Sequence, residues 1–236
     1  MSEIKNELGQ PVGFPLIDWQ ARQWPPRSPM EGKGCRIETY DPDRDNIQLY
    51  DAFAKDGDHG NWTYLPYGPF DQFEAFDSWA RCSCQNDDPQ FHSIIDLTSE
   101  KAVGLASYLR ITPNAGVIEV GHIHFSPLLQ CTTLATEAMF LMMKRVFDEL
   151  GYRRCEWKCD ALNASSCKAA KRLGFIYEGI FRQATRYKNR NRDNAWFAII
   201  DQDWPAIRHG FEQWLNPDNF DDEGQQKHSL SHFMPG

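Results

Sequence analysis

Residues 120–175 read VGHIHFSPLLQCTTLATEAMFLMMKRVFDELGYRRCEWKCDALNASSCKAAKRLGF. An apolar strand leads into a short polar turn, Gln130-Cys131-Thr132-Thr133. The turn opens a long helix on which Leu134, Ala138, Leu141, Met142, Val146 and Leu150 recur at three- and four-residue spacing, and Gly151 stops it. A strand over 153–160 alternates Cys155, Trp157 and Cys159 with charged residues. The turn Asn163-Ala-Ser-Ser166 then starts a second helix, over 165–173, which ends in Leu173-Gly174-Phe175. A polar turn between the C-terminal end of a strand and the N-terminus of a helix gathers free backbone N–H groups and the positive end of the helix dipole. That combination is a ready-made phosphate site.

The flanks extend the same alternation of strands and helices. A strand is expected at 35–40 and a helix at 42–55, with Asp41 as N-cap, Pro42 at its first position and Ile47, Leu49, Tyr50, Phe53 and Ala54 on its apolar face. The aromatic loop Trp62-Thr-Tyr-Leu-Pro-Tyr-Gly-Pro-Phe70 precedes a helix capped by Asp71. Strands follow at 91–97, 102–111 and 116–125, and later at 175–183 and 195–200; a last helix starts after Asp203 and runs to Leu215. Residues 1–34 hold five prolines and read as an arm packed on the domain through Phe14, Leu16, Ile17, Trp19 and Trp24. Residues 35–215 form the domain, and the polar stretch 216–236 reads as a mobile tail.

Composition narrows the class. The 236 residues are 41% hydrophobic and 13% aromatic, which suffices for one well-filled core. No apolar run reaches the ~18 residues of a membrane span, and the N-terminus lacks the basic and apolar regions of a signal peptide. A cytoplasmic protein without a membrane partner is expected. Seven cysteines show no zinc spacing; Cys155 and Cys159 share a strand face about 13 Å apart, too far for a disulfide, so reduced thiols are expected. The net charge of −8 argues against nucleic acid as a partner. Residues 144–192, however, carry 13 Lys/Arg against 5 Asp/Glu, which suits an anionic small molecule.

Three motifs carry a resemblance. Glu119-Val-Gly-His-Ile-His-Phe-Ser-Pro127 matches a strand closed by proline; Gln130-x-x-Thr133-x-Ala135, followed by Thr136-Glu137-Ala138, matches a cofactor loop; Asn163-x-x-Ser166 and Leu173-Gly174-Phe175 stand at the matching separation. In this order they resemble the GCN5-related N-acetyltransferase (GNAT) superfamily. The resemblance is to the branch of ribosomal-protein N-terminal and spermidine acetyltransferases, and it spans residues 35–215. It implies an α/β (α+β) fold: a mixed, mostly antiparallel sheet of about seven strands, splayed between the fourth and fifth and flanked by helices. It also implies acetyl-CoA as cofactor and transfer of its acetyl group to a primary amine, on a peptide N-terminus or a small molecule. Position 133, usually glycine in the family, is threonine here.

By this resemblance the N–H groups of Cys131, Thr132, Thr133, Leu134 and Ala135, led by Gln130, hold the pyrophosphate. The backbone of Phe125 and Ser126 pairs with the pantetheine arm. Asn163 either bonds the pantetheine amides or caps the next helix. Ser166 is a candidate for the cofactor contact and for the thiolate acid, since the tyrosine common four residues later is Ala170. Glu119, His122 and His124 are the candidate bases. In a regular strand Glu119 faces opposite to both histidines unless a bulge intervenes. Trp62, Tyr64, Tyr67 and Phe70 either enclose the amine, with cation–π help, or plug the core. The acidic remainder of the chain would suit a cationic acceptor. The alternative to an enzyme is an acyl-CoA-binding module without turnover, motivated by Thr133 and Ala170, and the state is a monomer or a homodimer.

Overall fold

The computed structural model describes residues 4–235. A small hairpin, β1 (Ile4–Lys5) with β2 (Pro11–Val12), stands apart from one eight-stranded sheet. The sheet contains β3 (Met30–Glu31), β4 (Cys35–Thr39), β5 (Gln90–Asp96), β6 (Lys101–Thr112), β7 (Val117–Phe125), β8 (Arg154–Asp160), β9 (Ile176–Tyr187) and β10 (Arg190–Ile200). Their order is β3-β4-β5-β6-β7-β8-β10-β9. Every neighbour pair is antiparallel except β7–β8, which is parallel.

The parallel pair is brief. Val117, Ile118 and Glu119 pair with Arg154, Cys155 and Glu156, and beyond them the two strands part. Counted from β4, these are the fourth and fifth strands of the sheet. The strand beyond the expected seven is β3, which the sequence hides because only Met30 and Glu31 pair with Ile37 and Arg36.

Helices α1 (Pro42–Phe53) and α2 (Phe73–Ser83) cover one face, around Leu49, Phe53, Trp62, Phe76, Phe91 and Leu105. Helices α3 (Thr133–Lys144) and α5 (Trp204–Trp214) cover the other, around Ile94, Tyr108, Val120, Met142, Phe197 and Phe211. Asp41 caps α1 through Asp43 N, with Pro42 following. Ile47 is exposed and Asp45 takes the inward position instead, bonded to Ser93 Oγ at 2.6 Å and Arg44 Nε at 2.6 Å. The residue before α2 in cap position is Gln72, not Asp71, and its side chain makes no cap bond. α3 continues into a π turn over Arg145–Glu149 before Gly151 ends it at φ 65°.

The two terminal segments differ from expectation. Phe14, Leu16, Ile17 and Trp24 are exposed. The later part of the arm is held by polar bonds: Trp19 Nε1 donates to Asn114 O at 2.8 Å, Tyr152 Oη to Gln23 O at 3.1 Å, and Arg145 to Ser28 O at 2.7 Å. Residues after Leu215 do not hang free. Leu230, on the short α6 (Leu230–Phe233), is fully buried, and Asn219 Nδ2 bonds Trp214 O and His228 O at 3.1 Å each.

Glu137 ties the arm to α3. Its buried carboxylate accepts from Lys33 N at 2.7 Å, Gly34 N at 2.9 Å and Cys35 N at 3.1 Å. Removing an acceptor shared by three main-chain donors leaves them to water or to nothing. Glu137→Ala is expected to cost about 2–4 kcal/mol in urea unfolding, with Glu137→Gln losing less. An unchanged midpoint for Glu137→Ala would show that the clamp contributes nothing.

Candidate active site

The turn after β7 is built from its own main chain. Ser126 O accepts from Leu129 N at 2.9 Å and Gln130 N at 3.0 Å, and Cys131 takes φ 60°. Thr132 is the N-cap of α3: its Oγ1 donates to Leu129 O at 2.6 Å and accepts from Ala135 N at 3.2 Å. Five N–H groups were expected to face phosphate, and two of them are already used: Thr132 N donates to Leu129 O, and Ala135 N to the cap. Cys131, Thr133 and Leu134 keep theirs without a protein acceptor among the described residues. Thr133 is exposed and is the first residue of α3, with φ outside the left-handed region, so its backbone does not require glycine. Three free donors at the end of a twelve-residue helix fit a pyrophosphate.

The end of β7 distinguishes Phe125 from Ser126. Ser126 N donates to Val103 O of β6 at 3.2 Å, so by alternation Phe125 turns its N–H and C=O toward the gap beside β8. Gln130 Nε2 holds that C=O at 2.8 Å, leaving the Phe125 N–H for a pantetheine arm. The main chain of Ser126 is consumed by β6 and the turn, and its Oγ is buried without a partner. Ser126 therefore does not offer the backbone edge expected of it.

A bulge resolves the strand-face question. Ser107 pairs with Gly121 and Leu105 with His124, so β7 carries one residue more than β6, and His122 sits at φ 48°. The extra residue brings Glu119, His122 and His124 to the side of α1 and α2. Only two of them reach the cleft. A cavity of about 400 Å³ opens where β7 and β8 part, lined by Glu119, His122, Trp157, Asn163, Ser166 and Arg192 among others. His124 is 3% exposed, stacked on Phe53 at 3.8 Å and edge-on to Trp62 at 4.0 Å, and burial alone pushes its imidazole down to about 3. It belongs to the core.

Glu119 Oε2 is held by Arg110 Nη1 at 2.7 Å and Lys158 Nζ at 2.9 Å; Lys158 also reaches Glu156 at 2.7 Å and lies over Trp196. Burial raises the Glu119 carboxyl above the ordinary range, against the pull of both cations. His122 is pushed down to about 4, first by burial, then by Arg110 and Arg192, so it is neutral at pH 7. Its Nδ1 lies 3.1 Å from Tyr67 Oη, and the two rings stack.

On the β8 side, Ser166 Oγ accepts from Trp157 Nε1 at 3.0 Å and keeps its own proton to donate. Asn163 caps α4 (Ala164–Arg172): Oδ1 accepts from Ser166 N at 3.0 Å and Ser165 Oγ at 2.8 Å, and the amide Nδ2 is left for the cavity. Capping and ligand binding thus divide one side chain. Ala170 is fully buried in the core. Cys159 Sγ lies 3.5 Å from Cys167 Sγ, a pair invisible in the sequence because the two residues sit on different elements. Burial pushes the Cys159 thiol up to about 12.

The aromatic loop splits. Tyr64 lines the cavity and its Oη donates to Leu162 O at 3.1 Å, bridging the cleft. Tyr67 touches His122. Trp62 is 3% exposed and packs on Phe53, and half-buried Phe70 stacks on Trp79 at 5.1 Å; both line a separate cavity of about 220 Å³ with Tyr50, His59 and Phe76, and neither lines the β7–β8 cleft. The loop is pinned from the far side by Lys188 Nζ, which donates to Trp62 O at 2.7 Å, and by Arg190 Nη2, which donates to Thr63 O at 2.8 Å. These residues belong to the β9–β10 hairpin, turned at Lys188 and Asn189 with φ 45° and 57°. The hairpin supplies Thr185, Tyr187, Arg192 and Asn194 to the cavity. Sequence reading stopped the strands at 183 and 195 and so missed all four.

Comparison with known proteins agrees with this geometry. The profile of the Acetyltransferase (GNAT) domain matches residues 36–176. The chain belongs to the GNAT acetyltransferase family. A crystal structure of a GCN5-related N-acetyltransferase from Brucella melitensis is 42% identical, with TM-score 0.90 over 92% of this chain and 99% of that one. The uncharacterized N-acetyltransferase YnaD of Bacillus subtilis (strain 168) is 28% identical over 86 residues, 36% of this chain; the match spans half of that protein. The acetyl transferase of Salmonella typhimurium that modifies the N-terminal serine of ribosomal protein L7/L12 superposes with TM-score 0.60 over 73% of this GNAT chain and 99% of its own. At 16% identity that likeness is one of fold. Among the described residues no helix is long and apolar enough to cross a membrane.

Proposed function

We propose that this GNAT protein is an acetyl-CoA-dependent N-acetyltransferase that acylates a primary amine by direct attack. The observation that carries the reading is the cavity at the β7–β8 divergence, which holds both a buried carboxylate, Glu119, and a hydroxyl, Ser166, on opposite walls. Cys131, Thr133 and Leu134 N–H would hold the pyrophosphate, and Phe125 N–H with Asn163 Nδ2 the pantetheine arm. Bound acetyl-CoA supplies the thioester carbonyl.

The chain's own groups do the rest. Glu119, its basicity raised by burial, takes a proton from the incoming ammonium. Neutral His122, fixed by Tyr67, orients the free amine without adding charge. Ser166 Oγ, anchored by Trp157, keeps a proton to donate at the facing wall. Residues 35–215 carry this activity, and the seven free cysteines suit a reducing, cytoplasmic setting.

A free-thiol release assay with acetyl-CoA over N-terminal peptides, polyamines and amino sugars tests the proposal. Thiol release that depends on one amine class is expected. Calorimetric binding of acetyl-CoA without release on any amine would replace the enzyme by a binding module. No binding at millimolar acetyl-CoA would defeat both readings.

A further inference from the structure

The charge inside the cleft is opposite to that of the whole chain. The cavity is lined by Arg110, Lys158, Arg186 and Arg192 against only Glu119 and Asp160. Both carboxylates are already satisfied within the protein. Glu119 holds Arg110 and Lys158, while Asp160 accepts from Leu162 N at 2.9 Å and Tyr187 Oη at 2.8 Å.

Arg192 is different. It is half-buried, its Nε donates to Asn194 Oδ1 at 2.7 Å, and its guanidinium lies 5.6 Å from the Tyr187 ring centre. Among the described residues no carboxylate pairs with it, and its two terminal nitrogens have no acceptor. Those nitrogens form a fork that matches a carboxylate or a phosphate, and the Asn194 and Tyr187 contacts fix its plane in advance. A partly desolvated guanidinium with free N–H groups in a cavity wall costs stability unless an anion completes it.

That anion is not the cofactor's pyrophosphate. Residues 130–135 of the phosphate turn do not line this cavity, whereas Arg192 faces His122 across it. Of the cations in residues 144–192, Arg192 therefore lies at the acceptor end of the cleft.

Resting on the acetyl-transfer reading of this cleft, we infer that the acceptor is an amine that also carries an anionic group, a carboxylate or a phosphate, which Arg192 binds while the amine lies at Glu119 and His122. The charge of the whole chain suggested a cationic acceptor. The local arrangement reverses that expectation, because an ammonium-rich polyamine would meet the unpaired Arg192 at close range, with Glu119 already shared between Arg110 and Lys158.

Calorimetry on enzyme saturated with coenzyme A tests this without needing turnover. Two matched pairs serve as probes: alanyl-alanine with its C-terminal amide, and glucosamine 6-phosphate with glucosamine. The anionic member of at least one pair is expected to bind at least tenfold more tightly, and which pair shows it distinguishes carboxylate from phosphate. Arg192→Gln should erase that ratio, and Arg192→Lys should restore part of it, while coenzyme A affinity holds in both variants. Equal binding within both pairs, no binding of any probe, tighter binding of spermidine than of every anionic probe, or loss of coenzyme A affinity in Arg192→Gln would overturn the inference. Anionic preference with no acetylation would leave this inference standing and remove the catalytic reading instead.

Discussion

Thr133→Glu is expected to weaken acetyl-CoA binding about 100- to 1000-fold while leaving the melting temperature at or above that of the wild type. The two effects have opposite signs because one feature causes both. Thr133 is the exposed first residue of α3, beside N–H groups that lack protein acceptors. A carboxylate placed there favours the helix by about 0.3–1 kcal/mol through the dipole. The same carboxylate competes for the donors meant for the pyrophosphate and sets a like charge beside it. At ~4 Å and an effective dielectric of ~20 that repulsion is about 4 kcal/mol, before salt screening reduces it.

Thr133→Gly is the control. The left-handed residue of the turn is Cys131, not Thr133, so glycine gains nothing in backbone freedom there. Affinity within about threefold of wild type is expected, with a stability loss of about 0.5–1 kcal/mol. Calorimetric titration of acetyl-CoA at low and high ionic strength reads both variants, and the Thr133→Glu deficit should narrow with salt. Wild-type affinity in Thr133→Glu would mean that phosphate binds elsewhere.

Local signals made much of this site readable in advance. Thr132 and Asn163 are short polar residues before helical patterns, and each caps its helix as that chemistry dictates. The strand and helix order around them follows from apolar periodicity. The features that escaped depend on partners distant in sequence. Residues 182–192 are polar apart from Ala184 and Tyr187, so little in their hydropathy marks a strand; residues 190–192 pair only with 185–187 across the turn, and β10 reaches β8 only from Asn194 onward. The bulge at His122 is a mismatch between two strands and cannot be seen in one of them. Trp62 and Phe70 look by composition like part of the acceptor's cage, yet they pack on Phe53, Trp79 and His124 and line a second cavity apart from the cleft. The polar C-terminal stretch reads as a tail because its apolar residues, Phe220, Leu230, Phe233 and Met234, are scattered among polar ones with no helical or strand period, and its hold comes from their packing on the core together with Asn219 and Trp214.

Glu119→Gln should lower kcat/KM about 100- to 1000-fold, in the range set by loss of a general base, with acetyl-CoA affinity unchanged. The isosteric amide keeps the shape of the wall, and the network left behind tolerates it. Lys158 retains Glu156 at 2.7 Å, and the Arg110 side chain is 58% exposed, so water replaces its lost partner. Stability separates a catalytic role from a structural one. The folded-state carboxyl of Glu119 has a raised pKa, so ionising it costs folding free energy. That cost is present above the raised pKa and vanishes as pH falls below the unfolded value. The melting temperature of Glu119→Gln near neutral pH should therefore equal or exceed that of the wild type, and the difference should shrink toward pH 4. Wild-type kcat/KM should rise with pH through a limb displaced upward from that of an exposed glutamate, and the variant should lose that limb. A variant within threefold of wild-type kcat/KM and with the same pH profile would leave Glu119 as no more than the partner of two cations.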